Sequence, residues 1–222
     1  FEKMPVPKAY FKIALPVVIG MVVSLIYNLA DTWFIASTGD TALVAGVSLC
    51  APVFTLMVAF SDIFGLGGSN LISRMLGRSS REEASHVSAF CVYGAVGFGA
   101  VTGAVMIFLQ DPILRLLGAS AETMSYASSY YFWLAVGAPA IILNIVPGNL
   151  LRTEGLSENA MVCTIAGAVI NIVLDPIFIF TFGMGAAGAA LATVLSNVIS
   201  DVFFLITMKR KSEVLSIRIQ DC

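Results

Sequence analysis

Long apolar stretches alternate with short polar breaks along the whole chain. Crossing the hydrocarbon of a bilayer takes about 20 apolar residues on a helix. Six runs qualify, at about 10–36, 44–72, 84–109, 125–150, 160–182 and 186–208. The breaks are brief: a polar turn at 37–41, a charged connection at 74–83, and Gly183-Met184-Gly185, which has room only for a tight turn. The stretch 110–123 is longer and holds an amphipathic piece, 112–117, expected to lie along the interface. Pro139 and Pro147 are expected to interrupt the fourth run. Small residues in Gly65-Leu66-Gly67-Gly68, in Gly94 to Gly103 and in Gly188-Ala189-Ala190 predict close helix contacts, and the aromatic cluster Tyr126 to Trp133 suits an interfacial belt. The pattern predicts an all-α membrane protein: a six-transmembrane-helix bundle over 1–208, followed by a basic tail at 209–222.

Charge sets the orientation. Lys3, Lys8 and Lys12 precede the first run, Arg74, Arg78 and Arg81 follow the second, Arg152 follows the fourth, and Lys209, Lys211, Arg210 and Arg218 follow the sixth. Of the 12 Lys and Arg residues, all but Arg115 therefore fall on one side, which predicts both termini in the cytoplasm. The three lysines imitate the basic start of a secretory signal, but the apolar run behind them is longer than the usual ~7–15 residues.

Composition agrees. The chain of 222 residues is 58% hydrophobic and 12% charged, where soluble proteins carry about 25% charge. A net charge of −2 offers nothing that would attract nucleic acid. Cys50, Cys91, Cys163 and Cys222 are far apart, with neither metal spacing nor a disulfide framework, and read as small core residues.

The informative residues are polar ones inside apolar runs. Asp31 and Asp175 would each cost at least about 2.5–3.5 kcal/mol in lipid unless paired or facing water. Asn171 and Asp175 are four apart and stack on one helix face. Pro176 cannot donate a backbone N–H, so the carbonyl of Ile172 loses its helical partner beside them. Such an oxygen-rich spot suits a proton or a small hard cation such as Na⁺. Asp31, Asp175 and Thr193 all fall roughly 10 Å below the outer surface at the rise of a helix. A structural reading stands beside the functional one: Asn171 as interhelical glue, Thr193 as small-residue packing, Tyr27 as aromatic packing rather than a donor to Asp31. Asp62 is given a water-filled cavity and Asp201 a wet or paired place near the inner surface; His86 reads as solvated. An intramembrane aspartyl protease is set aside because neither Asp31 nor Asp175 follows a Gly-x-Gly. No nucleophile elbow, phosphate loop or metalloprotease motif points to an enzyme.

Ala14-Leu15-Pro16, Tyr27-Asn28-Leu29-Ala30-Asp31-Thr32, Gly65 to Gly77, Leu151-Arg152-Thr153-Glu154-Gly155 and the block from Ile170 through Asp175 to Thr193 together resemble the amino-terminal half of a multidrug and toxic compound extrusion (MATE) transporter. The resemblance implies a twelve-helix protein of two six-helix lobes that exports cationic, amphiphilic drugs against an inward Na⁺ or H⁺ gradient. It implies a coupling-cation site at Asp31, Asn171, Asp175 and Thr193, with the Ala189 carbonyl as a further ligand, Tyr27 and either Tyr130 or Tyr131 in support, and a bend of the first helix at Pro16. No other cofactor is implied. The expected setting is a bacterial inner membrane, with lipid, a small cationic organic substrate and a second lobe as partners. That lobe would come from the same polypeptide beyond 209–222, since Phe1 is no initiator, or from a second copy of the chain. Two alternatives stay open: a flippase of lipid-linked precursors from the same superfamily, or a structural half without transport of its own.

Overall fold

The computed structural model describes residues 6–78 and 80–216, with side chains from Tyr10 onward. Expectations placed on Lys3, Lys8, Arg218 and Cys222 fall outside what is described. The helices are α1 (Val6–Ala36), α2 (Thr41–Leu49), α3 (Ala51–Gly77), α4 (Arg81–Phe108), α5 (Gln110–Leu116), α6 (Met124–Thr153), α7 (Ser157–Pro176) and α8 (Gly185–Lys211), and α7 runs on into a π-helical turn, Ile177–Thr181. Among the described residues six helical spans are long and apolar enough to cross a membrane. Helices satisfy their own backbone groups, which is what permits them in hydrocarbon.

Helix α6 is the axis of the bundle. It packs against α3, α4 and α8, and its inward face (Tyr131, Leu134, Ile142, Val146, Leu150) is fully buried. Helix α1 is the outlier: its main neighbour is α7, and Leu15, Met21, Leu25, Leu29 and Trp33 are all exposed. Small residues bring the other helices together. A Cβ on Gly99 would lie 2.6 Å from Pro139 Cα, and one on Gly103 would run into the Ala135 carbonyl, so α4 and α6 cross backbone to backbone.

Three features depart from the expected layout. The second run is two helices, broken at Cys50, because Pro52 opens α3 and lacks the N–H that a continuous helix would need there. Pro139 and Pro147 do not interrupt α6, which continues through both; the packed neighbours of this buried helix hold its course. The end of the fifth run changes helical register at Pro176, where the Ile177 N–H donates to Leu174 O and the Phe182 N–H to Ile177 O. At the turn between α1 and α2, Asp40 caps α2 by accepting from the Ala42 and Leu43 amides at 2.9 and 3.1 Å, and takes the Tyr126 hydroxyl at 2.7 Å. The Tyr126 bond, then the amides, hold its carboxyl below the usual range. This tie is present above the ordinary carboxylate range and is lost as pH falls through the lowered value.

The α4–α6 crossing gives a direct check. Gly99→Leu is expected to lower the melting temperature of purified protein, at an overpacking cost of about 1–3 kcal/mol. Gly97→Leu, at a glycine with open space around its Cβ position, should leave it unchanged.

Candidate intramembrane cation site

The site is assembled by α1, α6, α7 and α8. Asn171 and Asp175, one turn apart on α7, are 2% and 0% exposed. Both polar atoms of Asn171, both carboxylate oxygens of Asp175 and Oδ1 of Asp31 are sealed from solvent without a hydrogen-bond partner. An unsatisfied buried polar group costs about 1–3 kcal/mol, more when charged, so five at one level is a large standing penalty. Asp31 lies on α1, the neighbour of α7, close enough for its charge to act on Asp175. Tyr27 and Tyr130 are within reach of both charges.

Two cavities, of about 320 and 290 Å³, flank this cluster and share Tyr27, Asn28, Phe54 and Thr193 in their walls. The larger reaches Asn171; the smaller reaches Asp31 and Tyr130. The Thr193 hydroxyl donates to the Ala189 carbonyl at 3.1 Å, which sets two oxygens side by side on α8. A Cβ at Gly188 would sit 2.7 Å from the Phe178 carbonyl, so a glycine there lets α8 close onto the π-helical turn just beyond Asp175. Two carboxylates, an amide and hydroxyl and carbonyl oxygens form a donor set fit for a proton or a hard monovalent cation, and a cation among them would relieve the unpartnered atoms.

The predicted residues therefore divide. Asp31, Asn171, Asp175, Thr193, Tyr27 and Tyr130 come together. Among the described hydrogen bonds none joins Tyr27 to Asp31. Tyr131 points elsewhere: it is wholly buried near Cys50, with no partner for its hydroxyl. Pro16 is buried well down α1, at a distance in sequence from the cluster. Asp62 is half-buried on α3 and lines neither of these cavities. Asp201 is not at a wet surface. It is 5% exposed and accepts from Asn144 Nδ2 at 2.9 Å. Several cavity residues escaped the sequence reading, Asn144, Asn197 and Ser200 among them. Asn28 and Ser24 follow a spacing of four up to Thr32, with Ser24, Asn28 and Thr32 each bonding back to the carbonyl four residues earlier; that spacing was a legible signal. Arg152 reaches the larger cavity from the last turn of α6.

Fold and site define a multi-pass membrane protein with a polar cluster sealed inside its bundle. The chain belongs to the MatE family, whose model matches residues 16–177. It is 35% identical over 216 residues to the multidrug export protein MepA of Staphylococcus saprophyticus, covering 97% of this chain and 48% of that protein. A crystal structure of MATE in complex with MaD3S is similar with a TM-score of 0.90 at 34% identity, covering 97% of this chain and 48% of the other. An outward-facing multidrug resistance MATE family transporter of the MOP superfamily is similar at 0.89 and 34%, over 96% and 48%. The chain spans about half the length of the curated relatives it matches.

A cation bound at the cluster would stabilise the folded chain. Added coupling cation is expected to raise the melting temperature of the purified chain, equivalent to about 2.7 kcal/mol at a hundredfold excess over Kd. Asp175→Asn and Asn171→Ala should abolish that rise, and Tyr131→Phe should keep it.

Proposed function

We propose that the chain is the amino-terminal six-helix lobe of a secondary active transporter. It exports cationic, amphiphilic organic compounds by antiport with Na⁺ or H⁺, and the coupling cation is held by Asp31, Asn171, Asp175 and Thr193, with the Ala189 carbonyl beside them. The observation that carries the reading is the set of five sealed, unpartnered polar atoms on Asp31, Asn171 and Asp175. Intramembrane carboxylates in such a state are functional by default.

The coupling follows from where the two carboxylates sit. One is on α7 inside the bundle; the other is on α1, which has few neighbours besides α7. Without a cation, the two negative charges oppose the approach of α1 to α7. With one bound, the repulsion is removed and the helices close. Pro16 lacks an N–H inside α1 and supplies a place to bend. Drug and cation then compete through the position of α1. Lys12, Arg74, Arg78, Arg81, Arg152 and Lys209 to Lys211 gather at one end of the bundle, which supports cytoplasmic termini in the inner membrane. A second six-helix lobe, from the same polypeptide or a second copy, completes the drug cleft.

Arg152 favours a second reading. A guanidinium on the cavity wall suits an anionic headgroup, as in a flippase of lipid-linked precursors. A single arginine tied to Asn149 at 2.8 Å supports this less than the carboxylate cluster supports antiport.

In cells carrying the full-length transporter, Asp31→Asn and Asp175→Asn are each expected to abolish ethidium efflux while the protein still reaches the membrane. Undiminished efflux in either variant would sink the antiport reading. Calorimetry on the purified chain should show Na⁺ binding that weakens at lower pH, if Na⁺ and H⁺ share the site. A chain that neither binds a cation nor self-associates would be the scaffold half without transport of its own.

A further inference from the structure

Antiport stays coupled only if the cation cannot pass through to the cytoplasm by itself. The larger cavity shows where such a bar stands. Its wall holds Asn171 and Thr193, passes Asn144, Asn197 and Ser200, and reaches Arg152 in the last turn of α6. Arg152 is the one charged side chain among the residues lining it. A third cavity, of about 750 Å³, lies at the basic edge of the bundle among Arg81, Glu154, Lys211 and Glu213. Arg152 is the one residue that lines both. Its side chain therefore stands where the polar cavity meets the space at the edge.

The guanidinium is held in place by a neutral partner. Nη1 donates to Oδ1 of Asn149 at 2.8 Å. Asn149 is 8% exposed, and Gly65 of α3 makes room for it, since a Cβ there would sit 2.8 Å from the Asn149 amide nitrogen. Nε of Arg152 is sealed and unpartnered. Among the described residues the one salt bridge runs from Arg81 to Glu213, so no carboxylate is paired with Arg152 there. Glu154, two residues on, has its Oε1 taken by the Val214 and Leu215 amides at 2.8 and 3.2 Å. A positive charge tethered in this way keeps its field for whatever enters the cavity. An arginine on the wall of an ion path excludes cations electrostatically. Capping the end of α6 would be a purely structural role, yet the described bond of the guanidinium goes to a side chain rather than to a helix carbonyl.

We propose that Arg152 is the inner cation barrier of the lobe, a tethered guanidinium that keeps Na⁺ or H⁺ from crossing between the cluster and the cytoplasm while no drug is carried. Asn149 is its positioning residue. The inference rests on the antiport reading and adds to it the element that prevents uncoupled flux. It also gives the cavity arginine a use that needs no anionic substrate. The smaller cavity shares Tyr27, Asn28, Phe54 and Thr193 with the larger and extends to Ile35 and Val44 beside the α1–α2 turn. With the barrier gone, the two cavities make one path past Asp31 and Asn171.

Ion flux without drug separates a barrier from a packing residue. In proteoliposomes of the full-length transporter, under an imposed gradient and with no drug, flux is read with radioactive sodium and with a trapped pH dye. Arg152→Gln is expected to raise Na⁺ or H⁺ flux at least about tenfold, the low end of what a focused charge does to ion access. Arg152→Lys, which restores the charge without the planar fork, should return it near the parental level. Asn149→Asp sets a carboxylate against the guanidinium in place. It should leak as Arg152→Gln does, and serves if that variant does not fold. Parental flux in folded Arg152→Gln, or in Asn149→Asp where Arg152→Gln does not fold, overturns the proposal. So does an equal leak in Arg152→Gln and Arg152→Lys, which would mark the side chain as packing. Parental efflux in Asp175→Asn would instead remove the antiport reading beneath it.

Discussion

Polar atoms have no water to turn to in the interior of this bundle, and nearly every feature of the chain answers to that. Backbone groups are satisfied within helices. Isolated hydroxyls are satisfied by bonding back one turn, as Ser61 does to Met57, Thr164 to Ala160 and Thr193 to Ala189. Even the buried Asp201 has Asn144. Single unpartnered atoms occur on Tyr131, Arg152 and Ser157, but Asp31, Asn171 and Asp175 concentrate five of them in one cluster. This cluster is held open at a cost in stability, which the proposed cation would offset.

The packing supports the same division of labour. Helices α3, α4, α6 and α8 form a body whose crossings rely on glycine and alanine, with contacts too close for any side chain at Gly99 and Gly103. Such interfaces are shape-specific and tolerate little sliding. Helix α1 carries one of the two carboxylates and lies outside that body, against α7. The polar cluster thus spans the boundary between the well-packed part and the helix with the least to hold it. A change of charge at that boundary acts on the element easiest to move.

The site was legible mainly through type and depth. Asp31, Asp175 and Thr193 stood out as polar side chains in apolar runs that helical rise places at one level, and Asn171 through its spacing of four to Asp175. The choice between Tyr130 and Tyr131 was not legible. Adjacent residues on a helix point about a quarter-turn apart, and only the packing of α6 against α2 and α3 shows that Tyr131 turns into the core while Tyr130 meets the cavity. Asp201 was left wet or paired for a related reason: distance along the chain measured its depth but not the neighbour, Asn144, that pairs with it.

The amino-acid sequence by itself determined that this is a membrane bundle of six spans, which end carries the basic residues, and which polar residues lie deep in the bilayer. Those follow from composition, periodicity and length, all local quantities. The tertiary structure decided which helices adjoin, that α2 and α3 part at Cys50, that α7 changes register after Asp175, and that one polar-lined cavity runs from Asn171 and Thr193 past Asn144 to Arg152. Each depends on contacts between residues far apart in the chain, where the close approach of backbones at small residues selects one packing, and no periodicity along a single helix encodes its neighbour.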